Sequence, residues 1–112
     1  MRPLQLRKLI LAALEDAKVR DMVVLDMRKI AVFTDYMIIV TGTSNRHVMS
    51  VADNVIDRLR DAGRRPTGVE GMESGDWVLI DVGDVVVHVM RAQTRAFYGL
   101  EKLWSEAKAI KR

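Results

Sequence analysis

The chain contains no cysteine and very few aromatic residues, with two phenylalanines, two tyrosines and two tryptophans among 112 residues. Without cysteine it cannot form disulfides or thiolate metal sites. No apolar run approaches the roughly 20 residues needed to span a bilayer. The first residues show an amphipathic pattern instead of the apolar core of a signal peptide, so we expect a cytoplasmic protein with no membrane partner.

The remaining composition is that of a globular domain. Hydrophobic residues make up 49% and charged residues 29% of the chain, which excludes both a disordered and a membrane protein. No linker, repeat or low-complexity tract divides it, so we predict one domain over residues 1–112 with a basic tail at about 108–112. The net charge of +3 permits proximity to nucleic acid but does not demonstrate that the chain binds it.

Hydrophobic periodicity predicts an α/β domain. Apolar residues recur at helical spacing in three segments, and two short runs rich in β-branched residues predict strands. Because helices alternate with strands, we expect a mixed β-sheet with packed helices. The predicted elements are helices from Leu4 to Val19, from about Val48 to Gly63 and from Phe97 to Ala107, strands at Met22–Asp26 and Asp35–Thr41, and a loop from Arg64 to Asp76.

A β-hairpin is predicted from Trp77 to Met90. The two-residue loop Gly83-Asp84 has glycine first, which suits a type II′ turn and pairs Trp77 with Met90. Side chains alternate across a strand, so the hairpin has two different faces. The first face is aliphatic and is assigned to the core: Val78, Ile80, Val82, Val85, Val87 and Val89. The second face carries Trp77, Leu79, Asp81, Val86, His88 and Met90.

The second face has the mixed chemistry that proteins use to hold other proteins. Trp77, Leu79 and Met90 are candidate apolar anchors, although Trp77 could instead be a lid on the core. Asp81 and His88 are candidate polar contacts, and His88 could instead bond a neighbour. Beyond the hairpin, Arg95 could reach a carboxylate or a partner, and Tyr98 lies off the stripe Phe97, Leu100 and Trp104 that we assign to the core. The predicted partner-binding residues are Trp77, Leu79, Asp81, His88, Met90, Arg95 and Tyr98.

The turn Gly42–Asn45, between a strand and a helix, offers an alternative function. Ser44 or Asn45 can cap the helix, and the free backbone N–H groups could cradle a phosphate. However, the P-loop and Rossmann glycine patterns are absent. Asp81 and Asp84 do not form the closely spaced pair that nucleotidyltransferases use for metal ions. We therefore predict no catalytic residue, metal or cofactor, and keep nucleotide binding as the alternative.

Several blocks of sequence resemble those of the ribosomal silencing factor family, also called RsfS or Iojap. One departure is Met90, where family members commonly carry phenylalanine. The blocks are Asp35-Tyr-Met-Ile-Ile-Val-Thr-Gly-Thr-Ser44 followed by His47, Val69-Glu-Gly71, Gly75-Asp-Trp-Val-Leu-Ile-Asp81, Val86-Val-His88 and Arg95-Ala-Phe-Tyr-Gly-Leu-Glu-Lys-Leu-Trp104.

The resemblance implies a fold and a function. The fold would be nucleotidyltransferase-like without the catalytic carboxylates. The chain would bind the large ribosomal subunit through its ribosomal protein fourteen, in proximity to rRNA, block association with the small subunit and so repress translation when nutrients are short. It would not be an enzyme, and it could form a homodimer off the ribosome.

Overall fold

The computed structural model describes residues 1–110, which form four helices and six strands. The helices are α1 (Pro3–Asp16), α2 (Asn45–Asp61), α3 (Ala92–Tyr98) and α4 (Leu100–Leu103). The strands are β1 (Arg20–Asp26), β2 (Tyr36–Gly42), β3 (Gly68–Glu70), β4 (Trp77–Asp81), β5 (Val85–Arg91) and β6 (Lys108–Ile110).

The strands form one mixed sheet in the order β3-β4-β5-β2-β1-β6. Only β2 and β5 run parallel, and the other neighbouring pairs are antiparallel. The two central strands are almost entirely buried, as expected when both faces of a sheet are covered. The α/β class with a mixed sheet is therefore confirmed.

The main core lies between the sheet and the pair α1 and α2. Both helices bury one apolar stripe there, for example Ile10 and Leu14 of α1 and Val55 of α2. The aliphatic face of the hairpin packs into the same core, and all six of its side chains are fully buried. The sequence prediction for that face is thus confirmed.

A smaller cluster lies on the opposite face of the sheet. Its buried members are Leu25, Met27, Met37, Ile39 and Met90. The cover comes from the segment after β1 and from the C-terminal elements, with Trp77, Leu100 and Trp104 packed against the cluster. This side of the sheet therefore has only short elements over it, whereas two long helices cover the other side.

The prediction of one continuous C-terminal helix is wrong. Gly99 adopts a left-handed conformation with φ of 57° and ends α3 after only seven residues. Glycine takes this conformation without a steric penalty, and it commonly terminates helices. The stripe Phe97, Leu100 and Trp104 therefore does not share one face: Leu100 and Trp104 pack against the smaller cluster, whereas Phe97 is 81% exposed instead of buried.

Two short strands were also missed. Residues Gly68–Glu70, inside the predicted loop, pair with β4 as an edge strand. Residues Lys108–Ile110, inside the predicted basic tail, pair with β1; residues 111 and 112 lie outside the described part of the chain. Both strands have three residues, so their hydrogen bonding depends on a neighbour distant in sequence.

Candidate functional site: an aromatic surface beside the hairpin

The hairpin has the predicted register, with Trp77 opposite Met90 and Leu79 opposite His88. Gly83 in the turn has φ of 84°, a conformation that glycine accepts readily. The Asp81 carboxylate accepts a hydrogen bond of 2.8 Å from the Gly83 N–H. Asp81 thus fixes the turn, while remaining half-buried on the second face of the hairpin.

Trp77 is held in a fixed orientation from two sides. Its indole Nε1–H donates a hydrogen bond of 3.0 Å to His88 Nδ1. Its ring lies 4.9 Å from the ring of Tyr98, at an interplanar angle of 51°. The polar end of the indole is therefore satisfied, and an ordered, half-buried aromatic surface faces outward beside Tyr98.

Phe97 extends this arrangement into solvent. Its ring packs edge-on against the ring of Tyr98, with 5.0 Å between the ring centroids, and Tyr98 itself is 56% exposed. We call Trp77, Phe97 and Tyr98 the aromatic surface. Contiguous exposed aromatic rings are costly in water and mark interaction sites in many proteins.

A second exposed group lies at the C-terminal elements. Phe33 packs against Trp104 at 5.9 Å, and Trp104 in turn contacts the smaller cluster beneath the aromatic surface. Val32 and Leu103, which neighbour these two rings in sequence, are also strongly exposed. Most of the large exposed apolar side chains therefore belong to the elements that cover the side of the sheet opposite α1 and α2.

Two predicted contact residues lie beneath the surface instead of on it. Met90 is completely buried among Leu25, Met27 and Ile39, so its side chain cannot touch a partner in this conformation. His88 is only 5% exposed and serves as the acceptor for Trp77. The expectation that both make direct contacts is corrected: they support Trp77 from below.

Arg95 serves as an internal brace. Its side chain is only 10% exposed and forms a bidentate ion pair with Glu101 at 2.9 and 3.3 Å. The same guanidinium donates to the backbone carbonyl of Asp21 at 2.6 Å and to the hydroxyl of Thr41 at 3.0 Å. Of the two roles left open by the sequence, the structure shows the contact with a carboxylate. Arg95 thereby ties α3, which carries Phe97 and Tyr98, to the sheet.

Sequence reasoning missed the exposed side chains Phe97 and Phe33. Phe97 fits a helical stripe only if the helix passes through Gly99, and that glycine was the signal that it ends there. Phe33 lies in the connection between β1 and β2, where no periodic pattern assigns a side chain to a face.

The chain matches the family model described as "Ribosomal silencing factor during starvation" over residues 2–112. It belongs to the ribosomal silencing factor family. A ribosomal silencing factor of Chromobacterium violaceum is 46% identical over 104 residues, covering 93% of this chain and 85% of that protein. One of Bacillus subtilis is 39% identical over 89% of this chain and 85% of its own length.

Solved structures agree with this membership. A crystal structure of a Chromobacterium violaceum protein superposes with a TM-score of 0.91 at 46% identity, covering 94% of this chain and 88% of that one. A structure from Bacillus halodurans gives 0.87 at 36% identity, covering 96% and 98%. The ribosomal silencing factor fold is thus shared along nearly the whole chain.

In this member of the ribosomal silencing factor family, backbone N–H groups in and beside the turn Gly42–Asn45 already donate hydrogen bonds within the protein. The Thr43 N–H donates to His47 Nδ1 at 2.9 Å, and the His47 N–H donates to the Ser44 hydroxyl, which is the helix cap. His47 Nε2 in turn donates to the carbonyl of Ala17 at the end of α1. These bonds join the turn to both helices and leave fewer N–H groups for a phosphate, which weakens the nucleotide alternative.

Gly42 is explained by packing. A Cβ atom at this position would lie 2.6 Å from Cγ2 of Val48 and 3.2 Å from its backbone nitrogen. Valine in a helix is nearly restricted to one rotamer, so it cannot move aside cheaply. A glycine here lets β2 and α2 approach each other closely.

We therefore expect Gly42→Ala to lower the free energy of unfolding by about 1–3 kcal/mol, as overpacking does. Val48→Ala removes the methyl group that clashes, so the double variant should be less destabilised than the sum of the two single changes. Urea denaturation of wild type, the two single variants and the double variant measures how far the losses in free energy of unfolding depart from additivity. Purely additive losses would show that the close approach is not the reason for glycine.

Within residues 1–110, no helix is long and apolar enough to cross a membrane. In the same range, no three histidine, aspartate or glutamate side chains come together as a metal-binding group.

Proposed function

We propose that this protein silences translation by docking its aromatic surface on the large ribosomal subunit, where it occupies the site that the small subunit needs. The observation that carries the proposal is the ordered cluster of the half-buried Trp77 with the exposed rings of Phe97 and Tyr98. Such a function needs no turnover, because bound protein excludes the small subunit by its volume. The protein would act in the cytoplasm as a binding factor, not as an enzyme.

The energetics are those of an interface with a few dominant residues. Truncating a buried aromatic anchor typically costs a complex about 2 kcal/mol or more. The hydrogen bond of Trp77 to His88 and the brace of Arg95 hold the rings in place before binding. Little side-chain entropy is then lost on docking, which increases affinity.

The large subunit as the target is supported by the name of one relative. A mouse relative is named "Mitochondrial assembly of ribosomal large subunit protein 1". It is 31% identical to this chain, and the matched region covers 87% of this chain and 44% of the mouse protein. Within the large subunit we propose ribosomal protein fourteen as the contact, as the family resemblance implies. The exposed carboxylates Glu70, Glu73 and Asp76 near β4 would complement a basic ribosomal protein and steer its approach.

We further propose that two copies associate through the aromatic surface when no ribosome is available. An exposed apolar surface of this kind is unfavourable in water, and a second copy would cover it. Dimerisation and ribosome binding would then compete. Sedimentation velocity of wild type and Tyr98→Ala tests this, since an unchanged dimer fraction in the variant would place the dimer contact elsewhere.

The direct experiment is sedimentation of large subunits with the purified protein, before and after small subunits are added. Wild type should co-sediment with the large subunit and reduce the joined peak. Tyr98→Ala removes an exposed ring and should weaken both effects by about tenfold or more, without loss of stability.

Leu4→Ala is the matched control for this experiment, because Leu4 is an exposed apolar residue on α1, on the other side of the sheet. It should bind like wild type. Equal binding by Tyr98→Ala and wild type would contradict the proposed surface, and failure of wild type to sediment with large subunits would contradict the proposed function.

A further inference from the structure

We infer that a groove between the end of α2 and the edge strand β3 binds an extended, acidic segment of a partner protein. The groove has a volume of about 440 Å³. Ile56, Pro66 and Val69 contribute its apolar lining, and Arg60, Arg64 and Arg65 contribute its charged lining. It combines three properties that together fit such a segment: a free strand edge, an apolar lining and several guanidinium groups.

The free edge comes from β3. This strand has β4 as its neighbour on one side and no described strand on the other. An exposed strand edge presents unpaired N–H and C=O groups, and extended peptides bind such edges by adding a strand. A Cβ atom at Gly68 would meet nothing within 4 Å, so there is space above this residue, which lines the groove. The three residues of β3 limit the added strand to a short segment.

The guanidinium groups select for carboxylates. Arg64 is fixed by donating a hydrogen bond of 2.9 Å to the carbonyl of Val82, which positions its charge at the groove. Arg60 pairs with Asp57 at 2.8 Å, but both side chains are mostly exposed, and exposed pairs of this kind are weak. Arg65 is exposed as well. Arginine matches a carboxylate with two parallel hydrogen bonds, so acidic side chains on the added segment would be favoured.

Basic residues near the end of α2 also stabilise the helix dipole. That role explains the charges but not the apolar lining or the open strand edge. The phosphates of a nucleic-acid backbone would pair with the arginines only. They would gain nothing from the apolar side chains of Ile56 and Val69. An acidic segment with alternating apolar residues uses all three properties, since successive side chains of a strand point to opposite faces.

The groove is separate from the aromatic surface. Ile56 and Val69 pack against the main core, on the α1 and α2 side of the sheet, whereas Trp77 packs against the cluster on the opposite side. Both sites can therefore be occupied together. The inference does not depend on the proposed ribosome contact.

The test is an NMR titration of the ¹⁵N-labelled full-length chain with a short peptide of alternating glutamate and valine. The readout is the change in the chemical shift of each amide. We expect shifts concentrated at residues 56–70, with the Tyr98 amide unchanged. The double variant Arg60→Glu and Arg65→Glu should weaken binding by about tenfold or more, because it replaces attraction with repulsion. A peptide methylated at alternate backbone nitrogens should not bind, because it cannot add as a strand.

Arg46→Glu is the matched control, since it changes the same charge at the other end of α2. It should leave the affinity unchanged. Absence of shifts at peptide concentrations up to about 1 mM would overturn the inference. Equal binding by the double variant would also overturn it, and tighter binding of a uridine oligonucleotide at the same amides would assign the groove to nucleic acid instead.

Discussion

Replacing Trp77 by alanine is expected to abolish binding to the large ribosomal subunit while the fold survives. Trp77 contributes the largest ring of the aromatic surface and positions Tyr98, whose ring lies 4.9 Å away. The substitution therefore removes one anchor and releases a second. Since one aromatic anchor is commonly responsible for about 2 kcal/mol or more, the loss in affinity should exceed about thirtyfold.

The substitution also affects the folded protein, and this effect must be measured separately. Trp77 packs against the smaller cluster and is only half-buried, so its removal should lower stability less than the loss of a core tryptophan. The main core of α1, α2 and the aliphatic hairpin face does not include it. Circular dichroism and urea denaturation of the variant should therefore show a cooperative, moderately destabilised fold.

Trp77→Phe is the matched control. It keeps an apolar ring beside Tyr98 but cannot donate the hydrogen bond to His88. We expect it to retain most of the binding, because the ring contact with Tyr98 remains. Co-sedimentation with large subunits, compared among wild type and both variants, gives the affinities. Unchanged affinity of a folded Trp77→Ala protein would exclude the aromatic surface as the ribosome contact.

The hairpin was predictable because its determinants are local. A period of two places alternate side chains on opposite faces, and the Gly83-Asp84 turn sets the register. These two facts identified the buried aliphatic face and the composition of the other face. However, the alternation of side chains along a strand does not show whether another element of the fold covers a given face. This is why Met90 was expected at the surface and is in fact buried.

The C-terminal elements were not predictable in the same way. Helical spacing extends from Phe97 to Ala107, but Gly99 within it is a strong helix terminator and ends α3. The short strands β3 and β6 form only because β4 and β1 offer them an edge. Tertiary pairing of this kind leaves little signal in three residues. Because Phe97 lies at the end of α3, just before Gly99, the prediction of a continuous helix assigned it to the core and concealed its place on the aromatic surface.

His88 connects the stability of the protein to the geometry of Trp77. Burial lowers the pKa of His88 to about 4, from an ordinary value of 6.5. The neutral imidazole accepts the indole hydrogen bond at Nδ1. A protonated imidazole would carry a hydrogen on that nitrogen and could not accept it. Acid should therefore both destabilise the fold and release the indole.

The stability of the protein should fall as the pH decreases from about 6.5 to about 4. In this window the unfolded chain binds a proton at His88 and the folded chain does not, so protons favour unfolding. The shift from 6.5 to about 4 corresponds to about 3 kcal/mol, and the effect levels off below the lower value, where both states are protonated.

Urea denaturation at a series of pH values, for wild type and His88→Gln, measures this contribution. Carboxylates titrate in the same range in both proteins, so the difference between the two pH dependences isolates His88. His88→Gln is expected to be less stable at neutral pH and to lose less stability in acid. Parallel pH dependences would mean that the imidazole is accessible enough to protonate in the folded state. In that case burial would not lower the pKa of His88 in the folded protein, and this residue would not link stability to pH.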